Sequence, residues 1–310
     1  MFIFTGKSSV YPMKPFPSLE IVPPLKGITK TELLNSIEPL MEFGPRYINV
    51  TCHRDEYEFR EEPGGAYTRH LLRKRISQTA VCAAVQAAFP EVEVVPHLIC
   101  GGASAEQIES QLQDFKFMGI RNILVLRGDA IPGEKRFTRE PDGYTHADEL
   151  VAAIRRFEAA NGGERIFTLG VAGYPEKHFE SPNLDTDIQY LKQKVDAGAD
   201  QIITQLFFDN AVFYDFVRRC RKAGITVPIV PGIKPLSHAR QVDLLPESFS
   251  IDIPLELTAE IAAHPYDAYH IGEEWCLAQC RDLLAHGVEE IHFYTMGRSE
   301  NVINILRECF

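Results

Sequence analysis

No stretch of this 310-residue chain approaches the roughly 20 consecutive apolar residues that a bilayer-spanning helix needs, so no membrane partner is expected. Residues 1–13 carry one lysine and a short apolar patch, without the charged start and apolar core of a secretory signal. They read as a disordered extension, with Met13 as an alternative start. Positive charge is also short: 32 Lys and Arg stand against 43 Asp and Glu, a net charge of −11. Nonspecific nucleic-acid binding wants a basic face, so no nucleic-acid partner is expected. Any anionic ligand must be held by local positive groups against the overall field. Seven cysteines include no CxxC pair. Cys276 and Cys280 are four apart and share a helix face, but no second close pair of ligands accompanies them, so they read as reduced thiols of a cytoplasmic protein rather than a zinc site. The chain also lacks HEXXH, the His-x-His start of many metal-dependent barrel hydrolases, a GxGxxG loop and a P-loop lysine.

What is present is a regular alternation. Branched, apolar runs at 18–22, 47–51, 92–99, 122–127, 167–172, 201–207, 227–232 and 290–295 read as buried strands. Amphipathic stretches at 30–43, 68–88, 105–118, 147–160, 185–197, 211–223, 238–244 and 266–286 read as helices between them, with a last helix at 300–309. Gly119, Gly198, Gly224 and Gly287 follow final apolar turns, where helices end. Eight strand–helix units are the pattern of parallel βαβ crossovers, and eight favour closure over an open sheet. The expected fold is α/β: a single (βα)8 TIM barrel over 14–310, with a proline-rich, helical insertion at 246–265 before the last strand.

In such a barrel the chemistry sits at the carboxyl ends of the strands. Reading those ends in order gives Glu20; Thr51 followed by Cys52-His53-Arg54-Asp55; His97; Arg127-Gly128-Asp129; Tyr174-Pro175-Glu176-Lys177-His178; Gln205 and Asp209; Lys234; and His292, Tyr294 and Arg298. With period two, Ser18 and Glu20 share one face of the first strand and Leu19 and Ile21 the other. A barrel packs on Val, Ile and Leu and needs no such polar groups, so the rim reads as a site for a small, flat, heteroatom-rich ligand. Two other readings compete. One is a metal-dependent hydrolase using His97, His178 and His292 from three strands. The other is a non-catalytic scaffold, which would have no use for so many buried polar groups.

At these residues the chain resembles the methylenetetrahydrofolate reductase family, in the form of a bacterial-type catalytic domain. The resemblance is carried in order by Leu19-Glu20-Ile21-Val22-Pro23-Pro24, Pro96-His97-Leu98-Ile99-Cys100, Leu126-Arg127-Gly128-Asp129, Tyr174-Pro175-Glu176-x-His178, Lys194 to Asp200, Thr204-Gln205-x-Phe207-Phe208-Asp209, Pro231-Gly232-Ile233 and His292-Phe293-Tyr294-Thr295-x-x-Arg298. It implies a barrel that binds FAD and reduces 5,10-methylenetetrahydrofolate to 5-methyltetrahydrofolate with NADH or NADPH, by ping-pong hydride transfer, supplying methyl groups for methionine synthesis. It implies a homo-oligomer with small-molecule partners.

By the same resemblance, Glu20 matches a general acid and Asp129 a carboxylate beside the flavin. Gln205 matches a folate-binding amide, and Arg298 a residue near the benzoate-glutamate end. Thr51, His97, Arg127, Gly128, Asp129, Tyr144, Tyr174, His178, Asp187 and Lys194 match FAD contacts. Burial and a nearby Asp129 are expected to raise the proton affinity of Glu20. Two departures stand out. Some bacterial relatives stack the nicotinamide cofactor on a phenylalanine after the seventh strand, where this chain has Gln241-Val242-Asp243-Leu244-Leu245. The chain ends at Phe310, so the regulatory domain of eukaryotic members, which binds S-adenosylmethionine, is expected to be missing.

Overall fold

The computed structural model describes residues 14–131, 137–296 and 300–310. The expected extension at 1–13 and Arg298 lie outside them. Eight strands close into a parallel barrel: β1 (Phe16–Ile21), β2 (Tyr47–Val50), β5 (Glu93–Ile99), β6 (Asn122–Leu126), β7 (Thr168–Gly173), β8 (Gln201–Leu206), β9 (Ile229–Ile233) and β10 (Glu290–Tyr294), with β10 returning to pair with β1. Each is within two residues of its expected position.

Period-two alternation divides each strand between two cores. Leu19, Ile21, Ile48 and Val50 point outward into the large core beneath the helices. Tyr47, Val95, Leu124, Ile203 and Val230 point inward and fill the barrel. The outer ring comprises α1 (Lys30–Met41), α2 (Gln78–Ala88), α3 (Ala105–Phe117), α4 (Ala147–Ala160), α5 (Leu184–Asp196), α6 (Asn210–Lys222) and α10 (Glu300–Cys309). Three more helices lie between β9 and β10: α7 (Gln241–Phe249) and α9 (Ala268–Ala285), near the helices expected at 238–244 and 266–286, and α8 (Leu255–Ala263), inside the insertion expected at 246–265; Cys276, Cys280 and Leu283 of α9 join the large outer core. The four glycines expected at helix ends all have positive φ. Pro246, expected just past a helix, instead lies inside α7: a proline removes one donor without always ending the helix.

One expectation is overturned. Residues 68–88 do not form one helix. Tyr67–Leu72 is a strand, β4, paired antiparallel with β3 (Glu56–Glu61), and the helix begins only after Ser77, whose hydroxyl caps it. Local pattern could not separate the two states, because β4 is made by its cross-strand partners. Asp55 receives a forked bond from Arg73 across the base of this hairpin, with N···O distances of 2.8 to 3.1 Å.

At α1 the local code suffices. Thr29 Oγ1 accepts from the Glu32 backbone N–H at 3.2 Å, and Glu32 accepts from the Thr29 N–H at 2.7 Å. This reciprocal cap satisfies two donors that the first turn leaves free. Thr29→Ala is expected to lower unfolding free energy by about 1 kcal/mol, read from a urea midpoint, without changing the barrel's circular dichroism.

Candidate active site

The strand register places the rim residues at known depths. Ser18 pairs with His292, and Glu20 pairs with Tyr294 on one side and Asn49 on the other. Val50 pairs with Pro96, so Thr51 and His97 sit one step higher, towards the carboxyl-terminal mouth. Glu20 therefore lies inside the barrel just below that mouth. His97 Nε2 is 3.3 Å from its carboxylate and His292 Nε2 is 4.0 Å from it. Neither nitrogen has a hydrogen-bond partner of good geometry, although His97 is 4 % and His292 0 % exposed.

This cluster corrects the expected charge state of Glu20. Burial does raise its proton affinity, but the adjoining His292 and His97 outweigh it and hold the carboxyl down at about 2. Asp129 is not among the groups that dominate it. His292 shows the reciprocal balance: burial pushes it down, Glu20 pulls it up, and the charge of His97 pushes it down again.

Asp129 is exposed on the rim, past the end of β6. Gly128 makes the turn at φ +82, and a Cβ there would lie 3.2 Å from Ile99 Cβ. His53 ties the two carboxyls to one end of the barrel. Its imidazole is pushed down by burial and by the charges of Arg75 and His97, and pulled up by both Asp129 and Glu20. Thr51, buried, meets it at 3.1 Å. Arg54 then bonds Glu140 at 2.8 Å and the Thr138 carbonyl at 3.1 Å, joining the segment after β2 to the one after β6.

A second group gathers around the ends of β6 and β7. Lys194 Nζ, from α5, donates to the Ala172 carbonyl at 2.9 Å and lies 5.7 Å from the Tyr174 ring centroid. Burial holds its ammonium down at about 8, against the pull of Asp187 and Asp148 and with a push from Arg127. Among the described residues no carboxylate lies within ion-pair distance of it. Arg127 pairs with Glu180 and stands 5.1 Å over Phe137. His178 meets the Tyr174 ring edge-on at 4.8 Å. Asp187 is spent within the protein: it accepts from the His178 N–H at 3.1 Å and from Ser181 Oγ at 2.7 Å, shaping the loop that carries His178. Tyr144 is half-buried against the outer core.

Across the mouth, Gln205 ends β8 with its Oε1 accepting from the Leu206 N–H at 2.9 Å. Tyr294, a rim residue to which the sequence assigned no role, donates from its hydroxyl to the Thr204 carbonyl at 2.6 Å. Glu176, also on the rim, accepts from the Asp252 N–H at 2.6 Å and so joins the insertion to β7. Burial, with the charges of Asp252 and Asp209, lifts Glu176 to about 7.

The three imidazoles of the hydrolase alternative are not brought together. His97 and His292 face Glu20, whereas His178 belongs to the Lys194 group. Among the described residues no cluster of three or more His, Cys, Asp or Glu side chains is arranged to hold a metal. What the mouth offers is a buried carboxylate between two imidazoles on one wall, and on the other Lys194, which no carboxylate among the described residues pairs with directly, beside Arg127 already paired with Glu180. The first can hold and move a proton; the second can receive an anion.

The family profile for methylenetetrahydrofolate reductase matches residues 8–309. A 5,10-methylenetetrahydrofolate reductase of Salmonella typhimurium is 32% identical over 286 residues, covering 91% of this chain and 86% of that protein. Methylenetetrahydrofolate reductase (NADH) 1 of Arabidopsis thaliana is 34% identical, covering 93% of this chain but 47% of its own length. A probable methylenetetrahydrofolate reductase (NADPH) of Caenorhabditis elegans is 33% identical, with 94% of this chain and 42% of that one covered. The chain thus spans about half the length of these plant and nematode relatives. Among solved structures, an uncharacterized Clostridium thermocellum protein described as binding two copies of 5-methyl-5,6,7,8-tetrahydrofolic acid superposes with a TM-score of 0.58. It covers 96% of this chain and 95% of its own at 12% identity, a likeness of fold.

Proposed function

The chain belongs to the methylenetetrahydrofolate reductase family, and from that premise we propose that it reduces 5,10-methylenetetrahydrofolate to 5-methyltetrahydrofolate with NADH or NADPH through bound FAD. The product would supply methyl groups for methionine synthesis. The observation that carries the reading is the placement of Glu20, buried in the barrel between His97 and His292. Opening the folate's five-membered ring needs a proton at one of its nitrogens; Glu20, ionised in the ligand-free protein, would take that proton up beside His97 and His292 and hand it on, and a placed donor of this kind contributes roughly 10²–10⁴-fold. Asp129 lies at the rim of the same mouth, where the resemblance puts a carboxylate beside the flavin and the pterin.

The residues present fit FAD. Lys194 is a largely buried ammonium without a carboxylate partner among the described residues, with Arg127 and His178 nearby, and a pyrophosphate would supply the missing counter-charge. Thr51, His97, Gly128, Tyr144 and Tyr174 would line the rest of its path, and Asp187 would hold the His178 loop. The bound flavin supplies acceptance of a hydride from the nicotinamide and its delivery to the folate. Gln205 would orient the pterin through its amide. Arg298 would meet the carboxylate end of the folate. Ping-pong exchange of the two substrates over one flavin face is what the resemblance implies.

The direct test is an absorbance spectrum followed by anaerobic mixing with NADH and NADPH in turn. A flavin band that bleaches, and that methylenetetrahydrofolate then restores, supports the proposal. Stoichiometric metal without a yellow chromophore would overturn it. A second expectation concerns Lys194→Met. FAD affinity should fall by about tenfold or more, the loss of one charge-assisted contact of roughly 1.5–3 kcal/mol. The ligand-free proteins should differ in the opposite sense at alkaline pH. Because the native ammonium loses its proton near 8 and the unfolded one near the ordinary lysine value, wild-type stability gains with rising pH between those limits. The variant should lack that gain, checked by thermal melts at pH 7.5, 9 and 10.

A further inference from the structure

Below Glu20 the barrel is polar down to its floor along β1, β2 and β10, and Gln201 of β8 joins them at the floor. Ser18, Tyr47, Gln201 and His292 are 0, 0, 1 and 0 % exposed, and Glu290 is 9 % exposed. The facing wall is Val95, Leu124, Ile203 and Val230. A carboxylate buried at the end away from the mouth is unfavourable unless its hydrogen bonds are made. Here they are made. Glu290 Oε1 accepts from the Tyr47 hydroxyl and from Ser18 Oγ at 3.0 Å, and Oε2 accepts from Gln201 Nε2 at 3.3 Å. Burial raises the proton affinity of Glu290, while these donors and the charge of Arg46 pull it back.

Ser18 Oγ also lies 2.9 Å from His292 Nδ1. A hydroxyl has a single proton to give. With that proton directed to Glu290, Ser18 is left as an acceptor, and His292 must present Nδ1–H to it. Nε2 then faces Glu20, 4.0 Å away, with Tyr294 edge-on to the ring at 5.1 Å and Tyr47 stacked at 6.2 Å. At equal proton count the tautomer decides what faces Glu20: with Nδ1–H, Nε2 presents a lone pair, and a proton taken up by the pair is shared there, as a carboxylic acid facing a neutral imidazole or a carboxylate facing an imidazolium. With the other tautomer Nε2–H would face an ionised Glu20, and a proton taken up by the ring would go to Nδ1, on the Ser18 side away from Glu20.

We propose that Glu290 is a positioning residue: from the closed floor of the barrel, acting through Ser18, it fixes the Nδ1–H tautomer of neutral His292, so that Nε2 faces Glu20 and the proton that the folate step consumes, once taken up, is shared between Nε2 and the Glu20 carboxyl. The last clause rests on the reductase reading; the tautomer does not. No sequence motif marks this role, because Glu290, Ser18 and His292 come together only when β10 closes against β1.

The test uses protein labelled with ¹⁵N at histidine, with the His292 ring assigned through His292→Asn. Long-range ¹H–¹⁵N spectra separate the two tautomers and the imidazolium. Wild type should show Nδ1 protonated. Glu290→Gln and Ser18→Ala should each shift the ring toward Nε2–H. Both should slow folate-dependent reoxidation of the flavin by about tenfold, part of the roughly 10²–10⁴-fold that a placed proton donor contributes, while NADH-driven bleaching keeps its wild-type rate. Ser18→Ala carries the test if Glu290→Gln does not fold. A neutral Nε2–H ring in wild type, or an unchanged tautomer in both variants, overturns the proposal. An Nδ1–H ring that responds to both substitutions, in a protein that never reduces folate, supports the positioning role and sinks the reductase reading instead.

Discussion

Glu20→Gln is expected to lose folate reduction by about a hundredfold or more while NADH or NADPH still bleaches the flavin. Glutamine keeps the shape of the side chain and removes its ability to carry the proton. Among the described residues, the imidazoles 3.3 and 4.0 Å away have no other carboxylate within ion-pair distance. Removing a positioned acid costs about 10²–10⁴-fold, a loss large enough to separate the half-reactions cleanly. Stopped-flow absorbance measures both on one sample. Equal slowing of the two would show that Glu20 holds the ligand rather than a proton.

The same substitution has a stability signature whose sign is fixed. The native carboxyl titrates at about 2, against an ordinary value of 4.5. A carboxyl depressed on folding contributes stability that is fully present above its unfolded value. That contribution drains away as pH falls from about 4.5 towards about 2. Wild type should therefore lose more stability than Glu20→Gln across that window, read from urea midpoints at pH 5, 4 and 3.

The second large effect is expected at Gly232, where β8, β9 and β10 meet. A Cβ there would stand 2.2 Å from the Thr204 carbonyl oxygen and 2.6 and 2.8 Å from the Tyr294 ring and hydroxyl. Neither neighbour is free to move. The Tyr294 hydroxyl is bonded to that carbonyl at 2.6 Å, and the Gly232 N–H donates to Thr204 Oγ1 at 2.9 Å. The pairing of β8 with β9 is already irregular between Ile203 and Leu206. Gly232→Ala should cost about 3 kcal/mol or more, at or beyond the upper end of ordinary overpacking. In a chain of this size that lowers the melting temperature by about 5–10 °C. Gly170→Ala is the control. Its nearest contact is a terminal methyl of Leu124 at 3.0 Å, which can turn away, so its melting temperature should fall much less.

Most of the barrel was legible before any coordinates, because strand–helix repetition and period-two alternation are local properties of the chain. The residues of the mouth were legible too. Tyr174, Gln205 and Asp129 are polar groups at strand ends where packing asks for aliphatics. The β3–β4 hairpin was not. Tyr67–Leu72 has no decisive period of its own, and only Glu56–Glu61 across from it makes it a strand.

The sequence by itself determined which barrel strands exist, which of their ends are polar and which family pattern they match, since those follow from residue types at fixed spacing. Tertiary structure alone decided how the groups act on one another. Glu20 was expected to be a raised acid answering to Asp129. It became a depressed carboxyl answering to His292 and His97, because closure of β10 against β1 sets the His292 imidazole 4.0 Å from it. Charge–charge and hydrogen-bond energies depend on ångström separations and on burial, and residues 20 and 292 acquire both only when the cylinder closes.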